Sequence, residues 1–124
     1  MTSLLFILAL DVICTPDFSI HGLWVDPVSY CQNISFDYGA LAPILPRLQQ
    51  DWRSCYETNA EFWAHEWEKH GTCFNMTQLD YFSRGLDLFY QYRNNCSSGS
   101  VDCNICFDVN FTHIPCTSLI IGFS

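Results

Sequence analysis

Apolar residues recur along this chain at two spacings, and those spacings place its elements. Between Leu79 and Tyr92 they fall at Tyr81, Phe82, Leu86, Leu88 and Phe89, one face of a helix. The run from Glu61 to His70 contains no proline or glycine, and Gly71 after it can stop a helix, so it reads as a second one. Tyr38–Gln50 fits a helix interrupted near Pro43 and Pro46. Phe18–Trp24 reads as a strand leading into a loop. Asn104–Phe111 alternates enough for a strand that opens a hairpin. Tyr30–Asp37, Arg53–Ala60 and Cys96–Ser100 read as connections. The apolar run Ser3–Leu10 is too short to span a bilayer. It fits the core of a leader segment, the preferred reading, although a basic flank and a small-residue cleavage site are missing; a buried strand fits it equally in composition. With 124 residues and no internal repeat, one domain is expected, preceded by residues 1–13 as that leader or first strand.

The helix from Glu61 carries the most unusual polar pattern. At about 100° per residue, His65, Lys69, Phe62, Glu66 and His70 follow one another within roughly 140° of arc. Trp63 and Trp67 lie just beyond His70 and should face the core. Ala64, Glu68 and Glu61 fall opposite, toward solvent. Four ionisable side chains beside two tryptophans are costly to place for stability alone, because burying charge costs free energy. A surface helix with a solvated charged face is the plain alternative. His65-Glu66 also resembles the start of a zinc-protease helix, but the residue at i+4 is Lys69, whose ammonium would repel a dication, and His70 lies at i+5. No metal and no cofactor is expected. A further histidine, His21, sits in Phe18-Ser19-Ile20-His21-Gly22-Leu23-Trp24, where a satisfied core histidine is the plain reading. His113 lies in a separate block and is given no role.

Composition narrows the setting. Eight cysteines in a short chain with the sequons Asn33-Ile34-Ser35, Asn75-Met76-Thr77 and Asn110-Phe111-Thr112, and the weaker Asn95-Cys96-Ser97, point to an oxidising secretory route. Cys103-Asn104-Ile105-Cys106 has a redox or zinc spacing, a weak signal when isolated. Eight cysteines permit 105 pairings, and sequence does not choose among them. The net charge of −8 argues against broad affinity for nucleic acid, since proteins held by counterion release are usually basic.

The blocks Phe18–Trp24 and Phe62-Trp63-Ala64-His65-Glu66-Trp67-Glu68-Lys69-His70-Gly71-Thr72-Cys73 resemble the two active-site segments of the ribonuclease T2 family, most closely its plant S-like members. Tyr81-Phe82, Ile105-Cys106-Phe107-Asp108 and Pro115-Cys116 extend the resemblance from about Cys14 to Cys116. It implies an α+β fold, helices packed on a central antiparallel sheet, with some family elements missing. The Gln-Trp signature of the first strand, the long helical segment before the late Cys-Phe-Asp strand and the closing strand beyond Thr117–Ser124 have no counterpart. It also implies cleavage of single-stranded RNA by transesterification through a 2′,3′-cyclic phosphate, by a monomer that neither enters a membrane nor needs a metal. In that chemistry His70 would be the general base, His21 the general acid and His65 the phosphate-binding histidine. Lys69 would stabilise the phosphorane charge, and Glu66 would orient its neighbours. Trp24 would support His21 and the substrate, Phe62 would contact the substrate, and Tyr30, Phe36 and Tyr38 are further aromatics able to stack on bases. The implied disulfides are Cys14–Cys55, Cys31–Cys73, Cys106–Cys116 and, by remainder, Cys96–Cys103. An acidic optimum is expected, because protonating four histidines takes the formal charge from −8 to −4 while His70 must stay neutral. The alternative is a shortened, catalytically weak family member that serves as an RNA-binding or interaction module.

Overall fold

The computed structural model describes residues 4–13 and 15–116. Its centre is strand β1 (Leu5–Asp11), in which five consecutive residues are buried on both faces. An apolar run of this kind, unlike an alternating one, belongs in the middle of a sheet covered on both sides. The segment for which a leader core and a buried strand were both open therefore forms a strand. It pairs antiparallel with β2 (Ser19–Asp26) on one side and β3 (Asp102–Phe107) on the other; β4 (His113–Ile114) completes the order β2-β1-β3-β4.

Among the described residues three α-helices accompany the sheet: α1 (Leu45–Asp51), α2 (Asn59–Lys69) and α3 (Gln78–Tyr92). This is the expected α+β architecture. Phe6, Leu8 and Leu10 of β1 join Leu23, Trp52, Trp63, Trp67, Phe82 and Phe107 in the main core. Ile7 and Ala9, on the opposite face, pack with Trp24 and Cys106. The Tyr81 hydroxyl donates to the Leu23 carbonyl at 2.7 Å and so locks α3 to β2. The interrupted helix is resolved as a 3-10 turn, Tyr38–Ile44, running into α1, with Pro46 near the start of α1, where its missing N–H is harmless.

Several boundaries differ from expectation. Strand β3 begins at Asp102 and ends at Phe107, not Asn104 to Phe111, because Asp108 folds the chain back: its Oδ1 accepts from the N–H groups of Asn110 and Thr112. Helix α2 starts two residues before Glu61, where Thr58 and Glu61 form a reciprocal capping box. Gly71 does not adopt a left-handed cap. It lies in a 3-10 turn, and a Cβ there would collide with the Trp67 and Tyr81 rings, so its role is steric.

The disulfides Cys31–Cys73, Cys96–Cys103 and Cys106–Cys116 form as expected. Cys103 and Cys106, which share a redox-type spacing, therefore bond to other partners. Cys55 is disulfide-bonded, and Cys14, its expected partner, lies outside the described residues, as do Met1–Ser3 and the tail Thr117–Ser124. No described helix is long and apolar enough to cross a membrane.

Candidate active site

His21 enters the site through an irregularity in the sheet. Ala9 faces Gly22 and Leu10 faces Ile20, so His21 is the extra residue of a β-bulge between β1 and β2. Bulges re-aim side chains, and the residue they leave unpaired must find partners elsewhere. The His21 carbonyl accepts from Trp52 Nε1 at 3.2 Å, and its ring Nδ1 lies 3.2 Å from Asp11 Oδ2 at the end of β1. The imidazole remains 38% exposed. The hydrogen bond to Asp11 raises its pKa above 6.5; burial opposes the rise, and the charge of Glu66 adds to it.

His70 meets the opposite surroundings. It caps α2, donating its backbone N–H to the Glu66 carbonyl at 2.9 Å. The residue is 5% exposed, and neither ring nitrogen has a hydrogen-bond partner among the described residues. Burial is the main cause of a pKa pushed down to about 3, with the charges of Lys69, His65 and His21 acting in the same direction.

Trp24 joins the two. Its ring lies edge-on to His21, with centroids 5.2 Å apart, and stacks on His70 at 5.3 Å. Its Nε1 donates to Glu66 Oε1 at 2.9 Å. Glu66 is 2% exposed, and burial raises its pKa to about 7 against the opposing effects of the Trp24 bond and the charges of His21 and Lys69. Gly22 makes this approach possible, since a Cβ there would collide with both Glu66 Oε1 and Trp24 Nε1.

Of the residues singled out in the sequence, His21, Trp24, Phe62, Glu66 and His70 thus converge. The Phe62 ring lies 5.9 Å from His21. Lys69 is half-buried, and its charge bears on His21, Glu66 and His70 alike. His65 sits on the exposed rim of α2. Trp24, expected to support His21 and the substrate, stands beside His21 but is 5% exposed and covered by His70, so it braces the histidines and offers no open face to a base. Tyr30 and Tyr38 are exposed, whereas Phe36 packs on the main core. His113 is exposed on β4 against Tyr92.

Sequence reasoning missed Asp11. Its only signal was a lone acid closing an apolar run, and the strand pairing that brings it to His21 cannot be read from that. Two hollows meet at this pair. One, of about 150 Å³, is lined by Arg53, Ser54, Tyr56 and Phe62; the other, of about 250 Å³, by Ala9, Trp24, Asp102 and Asn104. A larger hollow of about 650 Å³ near Phe18, Arg93 and Ser98 contains none of these groups. Chemistry, not size, selects the site. Among the described residues no group of three or more His, Cys, Asp or Glu could hold a metal ion.

The family model described as Ribonuclease T2 family matches residues 9–99. Ribonuclease DdI of Dictyostelium discoideum is 37% identical over 84 residues, covering 60% of this chain and 38% of that protein. Extracellular ribonuclease LE of Solanum lycopersicum is 37% identical over 84 residues, 58% of this chain and 36% of that protein. The chain therefore spans less than two fifths of either relative. Among solved structures, a mutant of RNase MC1 in complex with 5′-UMP superposes with a TM-score of 0.80 at 19% identity, over 94% of each chain, a likeness of fold.

Proposed function

The chain belongs to the ribonuclease T2 family, and on that premise we propose that it is an endoribonuclease that cleaves single-stranded RNA by transesterification. One observation carries the reading: a single indole contacts two imidazoles whose surroundings drive their protonation apart. Paired titratable groups pushed in opposite directions are what acid–base catalysis near neutral pH requires.

In the reaction, neutral His70 takes the proton of the 2′-hydroxyl as its oxygen attacks phosphorus. Protonated His21 gives its proton to the departing 5′-oxygen as the P–O5′ bond breaks. The products are a 2′,3′-cyclic phosphate and a free 5′-hydroxyl. Lys69, with His65 at the rim, offsets the charge of the pentacoordinate phosphorus. Glu66 fixes Trp24, and Trp24 sets the spacing of the two rings; Phe62 walls the approach to His21. DNA lacks the internal nucleophile and would not be cut. The disulfides support a secretory route to an extracellular, vacuolar or lysosomal site, with the sequons as glycan acceptors.

The experiment is an RNA-containing activity gel run beside a His70→Ala control, with product analysis for the cyclic phosphate. Clearing by the wild type alone is expected. A wild type that clears nothing yet still binds RNA would replace this reading with that of an RNA-binding module, which the near-complete burial of His70 would then explain.

A further inference from the structure

We propose that Asp11 is a positioning residue for His21: it holds Nδ1–H, so that the proton on Nε2 is the one delivered to the leaving 5′-oxygen. The inference rests on the ribonuclease reading above and goes beyond it, because neither active-site block contains Asp11 and its strand carries no other polar side chain.

The geometry comes from two features of the sheet. The bulge frees His21 from the regular alternation of β2 and leaves its ring to be held by something other than the ladder. Asp11 ends β1, paired with Ser19 of β2 and Asp102 of β3, and is only partly exposed. Its Oδ2 stands 3.2 Å from Nδ1. A carboxylate accepts and cannot donate, so Nδ1 must carry a hydrogen in either protonation state of the ring. When protonated, the ring holds one hydrogen on each nitrogen. Losing the proton from Nε2 to the 5′-oxygen leaves the Nδ1–H tautomer, already bonded to Asp11. Losing it from Nδ1 would break that bond, so delivery from Nε2 is favoured.

Other charged groups face the ring. Glu66 and Lys69 of α2 act on it with opposite sign, Arg53 and Glu57 line the hollow on one side, and Asp102 lines the hollow on the other. Asp11 differs from all of these in making the hydrogen bond, which is also the largest cause of the raised pKa of His21. Trp24 and Phe62 confine the ring without choosing a tautomer.

The test compares the wild type with Asp11→Asn on two substrates that share a 5′ nucleoside: a ribodinucleotide that the wild type cleaves, and the corresponding 3′-(4-nitrophenyl) phosphate, whose leaving group departs without an acid. General acids contribute ~10²–10⁴ in rate, and a partly exposed positioning carboxylate should account for about 10–100-fold of it. We expect that loss in kcat on the dinucleotide, with KM within about twofold, an alkaline limb moved to lower pH, and a loss below about threefold on the nitrophenyl substrate. Equal losses on both substrates, or an unmoved alkaline limb, would overturn the proposal and leave the ribonuclease reading standing. A wild type inactive on both would overturn that reading and the proposal together. Should Asp11→Asn lack a native near-ultraviolet spectrum, Asp11→Ser replaces it and is read the same way.

Discussion

The bulge end of the site and the helix end treat the same side chain in opposite ways. At the bulge, His21 is more than a third exposed, hydrogen-bonded to a carboxylate and favoured as the cation. At the end of α2, His70 is buried, stacked on an indole and, among the described residues, without a partner for either ring nitrogen, so it is favoured neutral. Trp24 touches both rings, so distance does not separate them; solvent and one acid do. On the proposed mechanism, environment and not residue type separates the proton donor from the proton acceptor.

Removing the helix end should have the largest effect. His70→Ala should lower kcat on RNA by ~10²–10⁴, with little change in KM, since the group acts on the proton and not on substrate binding. Steady-state kinetics decide it. Gly22→Ala strikes at the join between the two ends. The new methyl must displace Trp24 or Glu66, so the protein should lose about 1–3 kcal/mol in a denaturant melt. A melt unchanged within error would mean that the indole has freedom that the packing denies it.

The pH profile sharpens the same contrast. The proposed mechanism needs His70 neutral and His21 charged. His70 is protonated only near pH 3, and His21 loses its proton above its ordinary pKa of 6.5. The rate should therefore hold from weakly acidic pH to near neutrality and fall on the alkaline side. A rate that climbs steadily to pH 9 would sink the assignment.

Stability offers the subtlest test. The folded pKa of His70 lies below its unfolded value, so its contribution to stability is present above pH 6.5 and is lost as pH falls toward about 3. Glu66 behaves in reverse: raised from 4.5 to about 7, it contributes fully below pH 4.5 and loses that contribution as pH rises toward 7. Between pH 4.5 and 6.5 the two slopes cancel. Glu66→Gln removes one of them, so relative to the wild type its stability should rise with pH across that window, by at most about 1.4 kcal/mol per unit. Asp51, also raised by burial, is common to both proteins and drops out of the difference. Parallel curves would show that the Glu66 carboxyl is ionised throughout.

Much of this was legible beforehand, for identifiable reasons. Helical spacing put Trp63 and Trp67 in the core, and both are buried. The same wheel grouped Glu66 with His70, because neighbours on a helix are fixed by local geometry. What stayed hidden depends on pairing between distant segments. The bulge at His21 requires the register of β1 against β2, and Asp11 acquires meaning only from that register. Trp24 was placed beside His21, where it stands, but its depth was hidden because a motif names residues without saying how deeply they lie. The end of β3 was misplaced because one aspartate side chain outweighed an apolar pattern that continued to Phe111.

The connection after β2 shows how an exposed segment can be secured without a core of its own. Tyr30 N–H donates to the Lys69 carbonyl, Gln32 Nε2 to the Thr72 carbonyl and Trp67 Nε1 to the Ile34 carbonyl, while Cys31 is bonded to Cys73. A protease that nicked the backbone between Asp37 and Leu41 would therefore release nothing. The two fragments would travel as one species on a non-reducing gel and part only when thiol is added, because Cys31 ties the first fragment to Cys73 in the turn that follows the histidine-bearing helix.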